Sequence, residues 1–229
     1  MNPNVFSELT IFGDRISKKR LLMKFRLSDL CINSDPASLL NVKVKSDGGS
    51  FNIEEAADLV KQDDKSFILV PHDGFDLMSI SRAVAEMHPE FEQKFLTAKM
   101  APDNDATMTI LQLIIPDIDK LRHDVLMEGV NTYFKAFNAD IEMERVLVTT
   151  KIAKYMEGAD DKATDEMKQM LDDNVKTVQD SAKQDVDKKQ EDIENAYKAF
   201  QAKVAEKQAE FGEKAAAVND AVANSLKME

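Results

Sequence analysis

Few side chains in this 229-residue chain are capable of covalent or metal chemistry, and they are scattered. Cys31 is the single cysteine, so the sequence excludes a disulfide framework and a multi-cysteine zinc site. The three histidines, His72, His88 and His123, match no metal-ligand spacing. No glycine-rich phosphate loop, G-x-S-x-G motif or H-E-x-x-H motif occurs. We therefore expect no catalytic residue, no metal and no cofactor, and predict that the protein is not an enzyme.

Charge is the chemical property that the chain distributes unevenly. Its 30 Lys+Arg and 42 Asp+Glu give a net charge of −12. Residues 1–45 nevertheless hold 8 basic and 4 acidic side chains, whereas residues 46–116 and 117–229 each carry a net charge of −8. The basic end includes a dense cluster of side chains: Arg15, Lys18, Lys19, Arg20, Lys24 and Arg26. An acidic protein with one basic end is unsuited to coating nucleic acid over its whole surface, but it permits local contacts with phosphates.

The basic cluster lies on a predicted amphipathic helix. Apolar residues recur at helical spacing from Phe6 to Leu30, which favours a helix that packs on other helices. A mitochondrial presequence is also basic and amphipathic, so this alternative stays open. Glu8, Asp14 and Asp29 count against it, because presequences are poor in acidic residues.

Two long helical patterns follow Pro116. The first runs from Asp119 to Met156, and the second begins at a cap of Thr164 or Asp165 and continues to Leu226. From Ile193 onward its apolar residues have a near-3.5 spacing, which is typical of a coiled coil. Such long helices need partners to bury their apolar stripes. Residues 1–36 and 117–229 therefore predict a three-helix bundle, with 195–229 as a helical extension.

The segment 37–116 has a different character and predicts a small α+β unit. Three strands are expected, at Leu39–Lys45, Ser66–Pro71 and Thr107–Ile115. Short helices are expected at Ile53–Val60 and Leu77–Met87. The segment from Pro89 to Asp105 is predicted to be irregular, with room for a short helix at Phe91–Leu96.

The predicted fold class is thus α+β, with a three-helix bundle and a small α/β unit inserted between helix 1 and helix 2. The two connections lie near Asp35-Pro36 and near Ile115-Pro116. They would run side by side, and we predict that these four residues form a hinge.

Several segments resemble the ribosome-recycling factor family, in the family's order. They are A-S-L-L-N-V-K-V (37–44), D-D-K-S-F-I-L-V-P-H-D (63–73), L-M-S-I-S-R-A-V (77–84) and L-I-I-P-D-I-D-K-L-R-H-D-V-L (113–126). The resemblance covers about residues 20–193. It implies an L-shaped protein that binds the large ribosomal subunit and, with a translocase GTPase, splits post-termination ribosomes without enzymatic activity of its own.

The resemblance also directs attention to arginines, because the family binds rRNA through them. The stretch that matches the family's arginine-rich tip, residues 32–37, contains no arginine, and residues 142–146 keep only Arg145. The remaining rRNA-binding candidates are Arg122, Arg145, Lys151, Lys154, Lys18 and Arg20. For each of them the alternative interpretation is a solvated helix face.

The missing arginines leave a second function open, which is a non-catalytic structural or assembly component of a mitochondrial ribosome, derived from a recycling factor. Residues 195–229 run past the family's usual end, and their apolar seam predicts a helical protein partner. The eroded arginines and the basic N-terminal region favour the mitochondrial matrix, with the bacterial cytoplasm as the alternative. No apolar run is long enough to predict a membrane span.

Overall fold

The structure is a computed structural model that describes residues 3–46, 48–101, 104–157 and 161–225. In chain order, the elements are α1 (Pro3–Asp29), β1 (Lys43–Ser46), β2 (Gly49–Asn52), α2 (Ile53–Ala56), β3 (Ala57–Asp63), β4 (Ser66–Pro71), α3 (Leu77–Met87), β5 (Glu92–Ala101), β6 (Asn104–Ile114), α4 (Lys120–Tyr155) and α5 (Asp161–Ser225). A 3-10 turn, Pro36–Leu39, connects α1 to β1. The predicted fold class is confirmed: the chain is α+β, with a three-helix bundle and a small α/β unit between the first and second bundle helices.

The bundle is held together by one apolar core. α1 contributes buried residues at helical spacing, among them Phe12 and Ile16, and α4 contributes Val130 and Ile141. α5 adds a stripe that ends at Ile193, which is completely buried. Burying side chains of this size stabilises a fold by about 1.5–3 kcal/mol each, so the apolar periodicity of the three helices accounts for their association.

The inserted unit has a core of its own between two antiparallel sheets. β1 and β2 form a two-stranded sheet, and the larger sheet has the strand order β3-β4-β6-β5. α3 buries Ile80 and Val84, and it contacts β1 on one side and β6 on the other. Phe67, Leu69 and Leu111 complete this core from the larger sheet.

The strand predictions were incomplete, because the described residues contain six strands and not three. The predicted strand Leu39–Lys45 begins only at Lys43, since the side chain of Asp35 caps the preceding 3-10 turn by accepting from the Ala37 N–H at 3.0 Å. The predicted helix Ile53–Val60 ends at Ala56. The next seven residues pair along β4 instead, and this pairing overrides their local helical preference.

The prediction for Pro89–Asp105 was wrong. Residues Glu92–Ala101 form the edge strand β5, and no helix is present at 91–96. β5 pairs with β6 well beyond the point where β4 stops pairing with β6, at Leu69 and Leu111. The polar residues of β5 belong to an edge strand, which is open to solvent along one side, and this explains why they carry no strand-like apolar alternation.

The boundaries of the long helices are close to those predicted. α4 begins just after Asp119, whose carboxylate accepts from the Arg122 backbone N–H at 2.8 Å. α5 begins at Asp161, slightly before the predicted caps, and Leu226 lies outside the described residues. Among the described residues, none of the helices combines the length and apolarity needed to span a lipid bilayer.

Candidate functional site

The two chain connections between the bundle and the inserted unit lie next to each other and are tied together by two cations. Arg122, in the first turn of α4, donates from Nη2 to the Cys31 carbonyl oxygen at 2.8 Å and from Nη1 to the Pro116 carbonyl oxygen. Lys65, in the β3–β4 turn, donates from Nζ to the Ile32 carbonyl oxygen at 3.0 Å. Each unit therefore supplies one cation that binds the connection after α1.

The β3–β4 turn is also bonded to both connections through its backbone. The Ser34 N–H donates to the Asp64 carbonyl at 3.0 Å, and the Ile115 N–H donates to the Lys65 carbonyl at 2.7 Å. Of the predicted hinge residues, Asp35 caps the turn that starts at Pro36, while Ile115 is buried in the core of the inserted unit. The structure thus brings the four residues to one region, and their role as a pivot stays a prediction.

Burial governs the ionisation of the groups at this junction. Burial lowers the pKa of Lys65, and the nearby Asp117 carboxylate, 3.8 Å away, opposes that shift. Burial also raises the pKa of the Cys31 thiol, whose single S–H lies within hydrogen-bond distance of two acceptors, the Asn33 carbonyl at 3.1 Å and Ser38 Oγ at 3.3 Å. Cys31 is therefore held as a protonated thiol, which is a poor nucleophile.

Three of the six predicted rRNA-binding cations are occupied by ion pairs between helices. Arg20 Nη2 lies 2.8 Å from the Asp185 carboxylate, Arg145 Nη2 lies 2.6 Å from the Asp172 carboxylate, and Lys151 Nζ lies 3.2 Å from the Glu8 carboxylate. The charges of these three side chains are therefore partly neutralised within the protein.

Lys18 and Lys154 differ from the other candidates. Both are exposed, and neither forms an ion pair with another described residue. Lys18 lies seven residues after the exposed Ile11 on α1, and Lys154 lies seven residues after the exposed Leu147 on α4. Of the six predicted cations, these two are the ones whose charge is available to an external anion.

Sequence reasoning missed an exposed apolar face on α4. Leu121, Val125, Met143, Val146 and Leu147 are all largely exposed, although α4 also buries a full apolar stripe against the bundle. The signal was present in the sequence, because positions 121, 125 and 143 repeat at whole helical turns on the side opposite to Val130 and Ile141. Apolar residues on both sides of one helix indicate that the second side has a role outside the core.

The described part of the chain offers no arrangement for a metal ion, since it contains no group of three or more His, Cys, Asp or Glu side chains placed to hold one. The groups at the site can make non-covalent contacts: cations with phosphates, carboxylates with cations, and apolar faces with protein surfaces.

Comparisons with known proteins identify the fold. No protein-family model matches the chain, and no curated protein matches it in sequence. In structure, the chain is similar to the solution structure of a ribosome recycling factor, with 13% sequence identity and a TM-score of 0.58, over 87% of this chain and 100% of that one. It is also similar to a chain from models of the T. thermophilus ribosome recycling factor and the E. coli elongation factor G bound to the E. coli post-termination complex. That match has 17% identity and a TM-score of 0.50, over 84% of this chain and 98% of the other. The chain therefore has a ribosome-recycling-factor-like fold.

Proposed function

We propose that this chain, whose fold is that of ribosome recycling factors, binds the large ribosomal subunit and promotes the splitting of post-termination ribosomes together with a translocase GTPase. The observation that carries the proposal is the extent of the structural likeness, which covers 87% of this chain. The similarity therefore includes both the bundle and the inserted unit. One of the similar structures is a ribosome recycling factor bound, with elongation factor G, to a post-termination complex. A fold alone does not determine a function, so the proposal needs a functional test.

In this proposal Lys18 and Lys154 make the contacts with rRNA phosphates. Neither has to leave an internal ion pair first, whereas Arg20, Arg145 and Lys151 each do. Arg122 is engaged by the carbonyls of Cys31 and Pro116, so in this proposal it supports the geometry of the junction. Removing one phosphate interaction with single-stranded or duplex nucleic acid reduces the slope of log affinity against log salt by about 0.7–0.9.

A ribosome-splitting assay with purified ribosomes and an elongation GTPase tests the proposal. Catalytic splitting by the wild-type protein is expected. Charge reversal in the variant K18E/K154E should weaken binding to the large subunit and flatten its salt dependence. Lys176→Glu, a single charge reversal at an exposed lysine on α5 without an ion pair to another described residue, is the control for reversal elsewhere on the bundle and should bind like wild type. Absence of splitting by the wild-type protein, with retained binding, would count against a recycling role.

A second candidate function is a non-catalytic structural or assembly component of a mitochondrial ribosome. It is favoured by the exposed apolar face of α4 and by the exposure of every side chain from 201 to 215, which suit protein partners better than RNA. A helical protein partner for residues 195–229 belongs to this candidate. Stoichiometric association with the large subunit that survives a high-salt wash, without splitting, would support it.

The second candidate function requires a location in the mitochondrial matrix. The first candidate function is compatible with the mitochondrial matrix and, as the alternative, with the bacterial cytoplasm. Fractionation of source cells, with detection of the protein by an antibody, distinguishes the two. Recovery in purified mitochondria with protection from added protease supports the matrix.

A further inference from the structure

A cleft of about 520 Å³ opens on one side of the junction, with walls from both the bundle and the inserted unit. Its apolar walls are made by Met87 at the end of α3 and by Leu121, Val125 and Tyr133 on α4. Met87 is 38% exposed, Val125 is 59% exposed and Leu121 is 73% exposed. Three large apolar side chains therefore converge on one cleft while they remain open to water, which is unusual for a protein surface unless a partner covers them.

The rim of the same cleft is acidic. Four carboxylates line it, those of Asp29, Glu90, Asp117 and Asp119, against a single guanidinium, that of Arg122. The Arg122 guanidinium donates to the two connection carbonyls, so its hydrogen bonds are not directed to these acids.

Most carboxylates of the acidic rim lack a direct ion pair with a lysine or arginine of the described residues. Asp29 accepts from Asn41 Nδ2 at 2.7 Å, Glu90 is hydrogen-bonded to His88, and Asp119 caps α4. None of these three carboxylates forms an ion pair with a lysine or arginine of the described chain. Asp117 alone has lysines within reach, Lys65 and Lys203, both at 3.8 Å. This contrasts with the bundle, where acidic and basic side chains pair between helices.

We propose that the cleft docks a basic segment of a protein partner, which inserts a large apolar side chain between Met87, Leu121 and Val125 and places Lys or Arg side chains against Asp29, Glu90 and Asp119. The cleft volume of about 520 Å³ lies within the range of about 300–1,000 Å³ that is typical of ligand pockets, which is enough for a large apolar side chain. The charge complementarity selects the occupant, because an RNA phosphate or an acidic segment would be repelled by the rim.

A second cavity at the junction lacks this combination. It has a volume of about 390 Å³ and is lined mainly by polar residues, including Asn33, Asp35, Asp192 and Lys189. In it, acidic residues are accompanied by a lysine, and no group of exposed large apolar side chains is present among its lining residues. The two cavities therefore differ in both apolar surface and charge, and only the 520 Å³ cleft is proposed as a docking site.

A random 16-residue peptide library, selected for binding to the full chain in the absence of ribosomes, tests the proposal. Selected peptides should combine one or two large apolar residues with flanking Lys and Arg. Binding of a selected, fluorescently labelled peptide, followed by anisotropy, should weaken about tenfold or more in the variant L121Q/V125Q. It should also weaken in E90Q/D119N, because asparagine caps a helix about as well as aspartate and the variant keeps the start of α4 while losing the charge.

The matched control is the variant M143Q/V146Q, which alters two exposed apolar residues of the same helix outside the cleft and should bind the peptide like wild type. Circular dichroism checks that all variants stay folded.

The inference would be overturned by selected peptides that are acidic or lack basic residues, by equal binding of wild type and L121Q/V125Q, or by an equal loss in the control. A stable dimer that the cleft substitutions dissociate would also overturn it, since the occupant would then be a second copy of the chain. No ribosome is used, so failure here and failure of the splitting assay are separate outcomes.

Discussion

Arg122 stabilises the junction through backbone carbonyls and not through carboxylates. Its two guanidinium hydrogen bonds reach one connection at Cys31 and the other at Pro116. A hydrogen bond that involves a charged group contributes about 1.5–3 kcal/mol. The side chain therefore has an energetic role in holding the inserted unit against the bundle, which is distinct from the role in rRNA binding that its charge predicts.

We expect Arg122→Met to open the junction locally, and Cys31 reports this opening. In the native protein the thiol is buried and its pKa is raised by burial, so it should react slowly with a thiol reagent. Removal of the Arg122 hydrogen bonds should increase the labelling rate at least several-fold. Arg145→Met removes only the exposed ion pairs to Glu142 and Asp172, so it should leave the rate unchanged. Mass spectrometry of labelled protein measures the rates, with protein in urea as the fully reactive reference. Equal native rates for wild type and Arg122→Met would contradict this role.

His123 links the first turns of α4 to α5 and makes stability depend on pH. Its Nδ1 lies 3.0 Å from the Asp124 carboxylate, its Nε2 lies 2.9 Å from the Glu194 carboxylate, and its ring packs on Tyr197. The hydrogen bond to Asp124, supported by Glu194, raises the pKa of His123 above its ordinary value of 6.5. Protonated His123, with the Asp124 and Glu194 carboxylates, thus stabilises the fold fully below pH 6.5. This contribution is lost as the pH rises through the raised pKa of His123.

The corresponding prediction concerns His123→Gln. The urea midpoint of the wild-type protein should fall between pH 6 and pH 8, and the variant should show a smaller fall. Part of the slope should remain, because the pKa of His72 is also raised, chiefly by its hydrogen bond to Asp58. If the urea midpoints of wild type and variant fell equally between pH 6 and pH 8, His123 would not be the group that makes stability depend on pH.

Two helical glycines give a test of packing at the scale of elements. Glycine in a helix interior costs about 0.5–1 kcal/mol relative to alanine. A Cβ at Gly13 would meet no atom within 4 Å, whereas a Cβ at Gly129 would lie 2.9 Å from Leu30 Cδ2, where α1 ends against α4. Gly13→Ala should therefore raise the free energy of unfolding by that amount.

Gly129→Ala should gain less than Gly13→Ala, or lose stability, because Leu30 has to move aside. Chemical denaturation of the two variants measures the difference directly. An equal gain in both would mean that Leu30 adapts without cost and that Gly129 is not needed for the close approach of α1 and α4.

The elements that the sequence predicts well are those in which local pattern and burial coincide. Ser66–Pro71 and Leu77–Met87 begin and end as predicted. β3 and β5 were missed because their residues lack strand-like alternation and become strands only through pairing with β4 and β6. Similarly, the positive charge of Arg122 is visible in the sequence, but its use depends on the distance to Cys31, 91 residues away, which no local pattern reveals.

At the scale of the whole molecule, charged side chains are paired differently between the bundle helices and at the cleft. Three of the six basic residues of α1 pair with acidic residues of α4 or α5: Arg15 with Glu144, Lys19 with Asp140 and Arg20 with Asp185. Acidic residues at the cleft remain without lysine or arginine partners in the described chain, apart from Asp117. The net charge of −12 is therefore expressed at particular surfaces, which favours basic partners over extended nucleic acid.

α5 extends past the last residue that packs in the bundle, and this gives the final prediction. Ile193 is fully buried and Tyr197 packs partly against the core, but every side chain from 201 to 215 is exposed. The part of the predicted apolar seam that begins at Val218 lies outside the described side chains. Since no side chain from 201 to 215 is buried, deletion of residues 206–229 should leave the thermal midpoint nearly unchanged while lowering the helical circular dichroism signal.

Deletion of residues 191–229 is the matched comparison, because it also removes Ile193, Tyr197 and the Glu194 contact with His123. Removing one buried aliphatic side chain of this kind costs about 2–5 kcal/mol, so this longer deletion should lower the midpoint clearly. If the shorter deletion were equally destabilising, the extension would have to fold back on the bundle. If it left the helical signal unchanged, the extension would not be helical by itself, and its order would have to come from the helical partner proposed for it.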